Sequence, residues 1–370
     1  MSSNNKNTVT KSLDKETLIK FLSSLINLND TKSIDKEIKN LIESISKSSK
    51  NDIVIPIRNN DQNFQIKNEF LKNELEQILN SRTIERKFYY IKRLIKTFNE
   101  IKTNKINDIN LNLWKEYDDI LTDSLWIFDK RDRAGAHNAE YWGNFIPQIP
   151  NQLLRRFTKL GDWVLDPFLG SGTTLIECKR LGRNGIGVEL SKDVVKLANE
   201  NISNEANHHK VKIEVINADS TELDYELELN KRGIKSIQFL IMHPPYWDII
   251  KFSNSEKDLS NAKTSEEFLN FLGKVVDKTY KVLDNGRYFA LVIGDKYSKG
   301  EWIPLAFYSM NEVLKRGYKL KSIIVKNFEE TRAKMQQKEL WRYRALVGGF
   351  YIFKHEYVFL FQKSRKRGKR

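Results

Sequence analysis

Two short stretches hold residues whose types and spacing could do chemistry. In Val164-Leu-Asp-Pro-Phe-Leu-Gly-Ser-Gly-Thr-Thr174 an acidic residue, Asp166, ends an apolar run, and a glycine turn leads into helix-forming residues. Gly170 and Gly172 let the backbone approach a ligand closely, and a helix beginning there presents unpaired N–H groups to it. Glu189 ends the next β-rich run 23 residues after Asp166, where an open α/β sheet holds ribose hydroxyls. Asp219, in Asn217-Ala-Asp219, follows the third run and suits an adenine amino group. The pattern fits a nucleotide-like ligand. It lacks the third glycine of the dinucleotide fingerprint, which argues against NAD. A helix cap or a solvated loop end is the plain alternative for each acid.

The other stretch is Ile241-Met-His-Pro-Pro-Tyr-Trp247, after a fourth apolar run. Two successive prolines neither continue a central strand nor begin an ordinary helix smoothly, so the backbone must turn out at the strand's carboxyl end. That end is the ligand-facing edge of such a sheet. A rigid loop with a packed tyrosine is the bland alternative.

The elements that must position these loops follow from periodicity. All 17 glycines lie at Gly135 or later, and Pro56 is the one proline before it, so residues 1–134 lack the usual turn formers and are expected to be a helical domain. Leu18, Ile19, Phe21, Leu22, Leu25 and Ile26, then Ile38, Leu41, Ile42 and Ile45, then Phe70, Leu71, Leu75 and Leu79 recur at helical spacing. The stretch 81–105 carries eight basic residues with Tyr89, Tyr90, Ile91, Leu94 and Ile95 interleaved, and reads either as a solvated outer face or as a helix on a phosphate backbone. From 135 to 370 short β-rich runs alternate with helical segments, the pattern of a mostly parallel sheet covered on both faces. Strands are expected near 163–166, 185–189, 212–216, 238–242, 288–293, 320–325 and 357–361, with helices near 173–181, 192–201, 265–283 and 305–315.

Composition narrows the partner. The 370 residues carry 63 Lys and Arg against 48 Asp and Glu, a formal charge of +15, which favours a polyanion such as nucleic acid. Of this, +11 lies beyond residue 134, and Lys363, Arg365, Lys366, Arg367, Lys369 and Arg370 crowd the end as either a solubilising tail or a phosphate contact. A single cysteine, Cys178, excludes an internal disulfide and points to a reducing interior. No apolar run approaches the roughly 18 residues of a membrane span, so a cytoplasmic, membrane-free protein is expected.

The two motifs together resemble the S-adenosylmethionine-dependent DNA amino-methyltransferases, which modify N4 of cytosine or N6 of adenine. Asp166-Pro-Phe-Leu-Gly-Ser-Gly-Thr173 is similar to their cofactor loop, and His243-Pro-Pro-Tyr-Trp247 to their catalytic Ser/Asn/Asp-Pro-Pro-Tyr loop. Tyr141-Trp-Gly-Asn-Phe-Ile-Pro-Gln-Ile-Pro150 resembles the segment that closes over the methionine end, and His355 to Lys363 the family's last strand. The resemblance implies an α/β fold, the seven-stranded Rossmann-like sheet of class I methyltransferases, behind the N-terminal helices. It implies S-adenosylmethionine as cofactor, held by Asp166, Phe168, Gly170, Ser171, Gly172, Thr173, Glu189 and Asp219. His243, Pro244, Pro245 and Tyr246 would be catalytic.

Two features depart from the family pattern. The cofactor loop precedes the catalytic loop, the unpermuted order, and the first catalytic position is His243. Trp247 is similar to the residue following the tyrosine in cytosine-N4 enzymes and tilts the reading that way, with adenine N6 still open. Carbon-5 methylation needs a cysteine nucleophile at the base, and Cys178 instead falls within the helix after the glycine turn.

The partner implied is double-stranded DNA, in a restriction-modification setting with a cognate endonuclease; oligomeric state is left open. Trp247 and the late insertion's Arg332, Lys334, Arg342 and Arg344 are the candidate nucleic-acid contacts, a surface flap or dimer contact being the alternative for the insertion. An RNA amino-methyltransferase, such as one acting on transfer RNA, and an inactive DNA-binding subunit are the competing functions.

Overall fold

The computed structural model describes residues 15–47, 57–59, 62–64, 67–138, 141–327 and 338–364. Two units separate in it, one running to Asn104 together with Ile109–Asp119, the other formed by Lys105–Asp108 and Ile120 onward.

The first unit contains α1 (Lys15–Leu25), α2 (Thr31–Lys47), the strands β1 (Ile57–Asn59) and β2 (Gln62–Phe64), α3 (Asn68–Leu79) and α4 (Ile84–Asn99). The helical stripes meet in one core: Leu18, Leu22 and Leu25 from α1, Ile34, Ile38, Leu41 and Ile45 from α2, Phe70, Leu71, Leu75 and Ile78 from α3, Ile91, Leu94 and Phe98 from α4. Each buried side chain of this size contributes roughly 1.5–3 kcal/mol. The antiparallel hairpin β1–β2 was not foreseen, because each strand spans three residues, too few for a period of two to show.

The basic helix α4 divides its charge between inside and outside. Lys87 is buried, its Nζ donating to Asp35 and to the carbonyls of Ile78 and Leu79 at the end of α3. Arg93 donates to Glu74 and Gln77, while Arg86, Lys92 and Lys96 are exposed. Truncating Lys87 to alanine leaves two helix-end carbonyls unpaired in the core, and is expected to cost this unit about 2–3 kcal/mol. Amide exchange in α3 and α4 would report it; unchanged protection would show the ammonium to be dispensable.

The second unit runs β3 (Leu125–Trp126), α5 (Gln148–Phe157), β4 (Trp163–Asp166), α6 (Thr173–Leu181), β5 (Asn184–Glu189), α7 (Lys192–Ser203), β6 (Ile213–Asn217), α8 (Tyr225–Lys231), β7 (Ile237–Met242), α9 (Ser265–Val282), β8 (Leu283–Ile293), β9 (Lys296–Ser298), β10 (Glu301–Ile303), α10 (Leu305–Lys315), β11 (Tyr318–Asn327), α11 (Lys338–Gly348) and β12 (His355–Lys363). The main sheet has the order β3-β11-β12-β8-β7-β4-β5-β6. Only β12 runs against its neighbours; the other pairings are parallel. The seven expected strands are all present. The eighth, β3, spans two residues, too short for any periodicity, and it draws the unit's start back to Ile120 from the expected Gly135.

Alternation along the strands divides the apolar residues between two cores. Val164, Phe239, Ile241, Ala290 and Val292 pack with α5, α6 and α7. Leu165, Leu240, Met242, Phe289 and Leu291 pack with α8, α9 and α10. The sheet is therefore covered on both faces, and ligands can reach it only at an edge. Cys178 is buried in the first of these cores, as its helical position suggested. Lys363, grouped by sequence with the basic tail, is folded in: its Nζ donates to the carbonyls of Tyr280 and Leu283. Residues 365–370 lie outside the described residues. Among the described residues no helix is long and apolar enough to cross a membrane.

Candidate active site

Strand order determines where the site can be. From β4 the chain builds outward through β5 to β6, then returns to place β7 and β8 on the other side, so the crevice opens at the carboxyl ends of β4 and β7. A cavity of about 770 Å³ lies there, and both sequence motifs line it.

Phe168, Gly170, Glu189 and Asp219 are in its wall. Gly170 has φ +55, and a Cβ there would stand 3.2 Å from the Tyr141 ring, so the turn needs glycine both for its conformation and for the space in front of it. Glu189 accepts from the Gly170 N–H at 3.0 Å and the Ser191 N–H at 2.9 Å, which ties the end of β5 to the glycine loop. Burial raises its carboxyl above the ordinary value, against the pull of those two N–H groups. Each of its oxygens keeps a further acceptor position for a ribose hydroxyl. Asp219 accepts from the backbone N–H and the hydroxyl of Thr221 through one oxygen.

The other cofactor-loop residues stand behind the wall. Asp166 is fully buried and accepts from the Phe168 N–H at 3.0 Å and the Thr174 hydroxyl at 2.6 Å. Burial pushes its carboxyl up to about 6. It shapes the loop from beneath. Ser171 donates to Asn144 at 2.7 Å, Gly172 caps α6 in the left-handed conformation, and Thr173 begins that helix.

The segment before the glycine loop contributes more than the sequence revealed. Asn144 lines the cavity, and its buried Nδ2 has no partner among the described residues. Tyr141 lies over Phe252 with ring centroids 6.2 Å apart, closing the same side. An orphaned buried donor, a glycine cradle and a carboxylate at the end of β5 are the complement of an amino-acid carboxylate joined to a nucleoside. S-adenosylmethionine fits that donor set.

The same cavity is lined by His243, Pro244, Pro245 and Tyr246. His243 packs its ring against Phe145 at 4.8 Å, and its Nε2 lies 3.1 Å from the Tyr246 hydroxyl. Burial, helped by Lys326 and opposed by Glu356, depresses the imidazole to about 4, so it is neutral at physiological pH. Tyr246 donates to Glu356 at 2.6 Å, and Glu356 is paired with Lys326 at 3.0 Å. Neither charged residue was singled out by sequence. Burial raises the Glu356 carboxyl, but Lys326, His243 and Tyr246 more than offset this and hold it below its ordinary range.

The candidate nucleic-acid residues divide. Trp247 does not line the cavity: its indole N–H donates to the Ala262 carbonyl at 2.8 Å and Lys296 stands over the ring at 3.9 Å. It is packed into the loop's own support. Arg342 and Arg344 are exposed on α11, whose Trp341 reaches the cavity wall, with Tyr343, Leu346, Val347 and Tyr351 also exposed nearby. Arg332 and Lys334 lie outside the described residues.

Comparison with known proteins places this geometry in context. A family model described as DNA methylase, of the N6/N4 type, matches residues 11–200 and 237–370. The type II methyltransferase M.MjaII of Methanocaldococcus jannaschii is 29% identical over 161 residues, 44% of this chain and 23% of that protein. The type II methyltransferase M2.DpnII of Streptococcus pneumoniae is 39% identical over 100 residues, 26% of this chain and 34% of that protein. The crystal structure of TrmN from Thermus thermophilus covers 60% of this chain and 50% of its own, at 18% identity and a TM-score of 0.38. The chain spans less than half the length of the curated relatives it matches here.

Proposed function

The chain belongs to the N6/N4 DNA methylase family, and from that premise we propose that it transfers a methyl group from S-adenosylmethionine to an exocyclic amino nitrogen of a base in double-stranded DNA. The observation that carries this reading is the convergence of the glycine loop and the His-Pro-Pro-Tyr loop on one cavity. Cytosine N4 is the proposed target over adenine N6, on the resemblance of the tryptophan after Tyr246 to that of cytosine-N4 enzymes, and a cognate endonuclease is the proposed partner.

An exocyclic amino group is a poor nucleophile because its lone pair is delocalised into the ring. Accepting its N–H bonds restores electron density to nitrogen, and a neutral His243 with the Pro244 carbonyl supplies two acceptors at one place. The Tyr246 ring gives the extruded base a stacking surface, worth roughly 1–3 kcal/mol against the cost of leaving the duplex. Glu189 holds the ribose, Asp219 the adenine, and Asn144 the carboxylate of the cofactor, beside Phe168 and the loop that Asp166 braces. S-adenosylmethionine, when bound, supplies an electrophilic methyl on a sulfonium sulfur. Holding donor and acceptor in line does much of the remaining work. Cys178 takes no part: burial in α6 pushes its thiol up and keeps it from any base.

Exposed Arg342 and Arg344 on α11, beside apolar side chains at the cavity rim, serve as DNA contacts, and the helical unit serves recognition or oligomerisation. The test is transfer of radiolabelled methyl to duplex DNA, transfer RNA and a mock control, followed by identification of the modified base. Label in DNA as N4-methylcytosine is expected. Label in RNA alone would overturn the reading.

A further inference from the structure

The pair Lys326 and Glu356 sits in adjacent strands, β11 and β12, directly opposite each other in register. Both are buried, with a 3.0 Å ion pair between them. Taking both charges out of water is costly, and the pair offsets that cost only through its own attraction and the hydrogen bonds that satisfy its remaining oxygens. Its outward contact is with the catalytic loop: the second Glu356 oxygen accepts a hydrogen bond from the Tyr246 hydroxyl at 2.6 Å, and the Tyr246 oxygen lies 3.1 Å from His243 Nε2. The ring of Tyr246 is seated against Gly294 at the end of β8, where an added Cβ would come within 2.9 Å of it.

Proton counting along this chain has one solution. Glu356 beside an ammonium is a carboxylate, which only accepts. Tyr246 has one hydroxyl proton, and it is committed to Glu356. Toward His243 the phenol oxygen can then only accept, so Nε2 must carry the imidazole hydrogen. In a neutral ring that leaves the lone pair on Nδ1, which has no hydrogen-bond partner among the described residues.

We propose that Lys326 and Glu356 act through Tyr246 as a tautomer lock, holding His243 as the Nε2–H form so that Nδ1 is the atom that accepts the amino N–H of the target base. Glu356 is thus a positioning residue, and the inference rests on the methyl-transfer reading for the use of Nδ1 but not for the tautomer itself. The lock compensates for the histidine at this position. An Asn or Asp side chain there presents an oxygen acceptor without help, whereas an imidazole offers one acceptor nitrogen whose position depends on where its hydrogen sits.

The test is 15N NMR of histidine-labelled protein, the His243 signals being assigned by their loss in His243→Asn. The expected wild-type spectrum shows a protonated Nε2 and an unprotonated Nδ1. In Glu356→Gln and in Tyr246→Phe the two tautomers should mix, because the first can release the phenol proton toward His243 and the second removes the phenol oxygen. Tyr246→Phe keeps the ring and the Lys326–Glu356 pair, so it remains informative should Glu356→Gln fold poorly. With it, kcat for methyl transfer should fall about tenfold in Glu356→Gln while cofactor affinity is unchanged. A wild-type Nδ1–H tautomer, or an unaltered tautomer in both variants, would overturn the lock. A locked tautomer in a protein that methylates no DNA would instead refute the functional reading.

Discussion

Gly170→Trp is expected to weaken S-adenosylmethionine binding at least 100-fold, about 2.7 kcal/mol, in isothermal calorimetry. The residue combines two demands that tryptophan cannot meet. Its φ of +55 is a left-handed conformation that costs an L side chain roughly 1–2 kcal/mol, and its Cβ position is already 3.2 Å from Tyr141. An indole built there has to occupy the cavity that Glu189, Asp219 and Asn144 also line. The melting temperature should fall by only a few degrees, the effect of the backbone strain, because the added ring projects into the cavity and displaces no core residue. Retained micromolar binding would remove the glycine loop from the cofactor site. Asp166→Ala should also weaken binding, by a different route: it frees the Phe168 N–H and the Thr174 hydroxyl and loosens the loop, since Asp166 itself lies behind the wall.

The parts of the site legible in sequence are those whose chemistry is local. Asp166 to Thr173 form a strand end, a turn and a helix start within eight consecutive residues, and His243 to Tyr246 form a rigid projection within four. Each is a covalent neighbourhood, so type and order suffice. Glu356 and Lys326 were invisible for the opposite reason. They are 30 residues apart in sequence, with Tyr246 a further 80 upstream of Lys326, and only the register of β11 against β12 brings the charges face to face. β11 carries three lysines, Lys319, Lys321 and Lys326, and residue type alone does not tell the buried one from the two exposed ones. Trp247 shows the converse: its adjacency to the catalytic tyrosine suggested a contact with nucleic acid, yet its φ of +51 turns it back onto Ala262 and Lys296.

Asn144 marks a third limit. The sequence assigned its segment to the methionine end by resemblance, but an unpartnered buried Nδ2 is a property of packing that no pattern of residue types discloses. The two-residue strand β3 is similar in kind, because Leu125 and Trp126 become a strand only through pairing with Val325 and Lys326. That contact sets β3 beside the strand that carries the buried ammonium, so the edge of the sheet helps fix one end of the chain running to His243.

The second large effect is at His243, where His243→Ala should reduce kcat by 10²- to 10³-fold, roughly 2.7–4 kcal/mol, with cofactor affinity nearly unchanged. The loss is confined to kcat because the acceptor matters most as the amino nitrogen rehybridises. His243→Asn separates this from a packing role. Its amide oxygen restores an acceptor without restoring the ring against Phe145, and should recover most of the lost turnover. If alanine and asparagine were equally impaired, the side chain would be needed for shape and not for accepting a hydrogen bond.

The pH profile supplies an independent check on the same residue. Acceptance requires the neutral ring, and burial has lowered the imidazole to about 4 despite the opposing charge of Glu356. Turnover should therefore be flat from pH 9 to about 5 as far as His243 is concerned, and decline as pH falls through 4. An inflection between pH 6 and 7 that disappears in His243→Asn would mean that the ring titrates as it does in water, and that the enclosure by Phe145, Tyr246, Glu356 and Lys326 does not hold in solution.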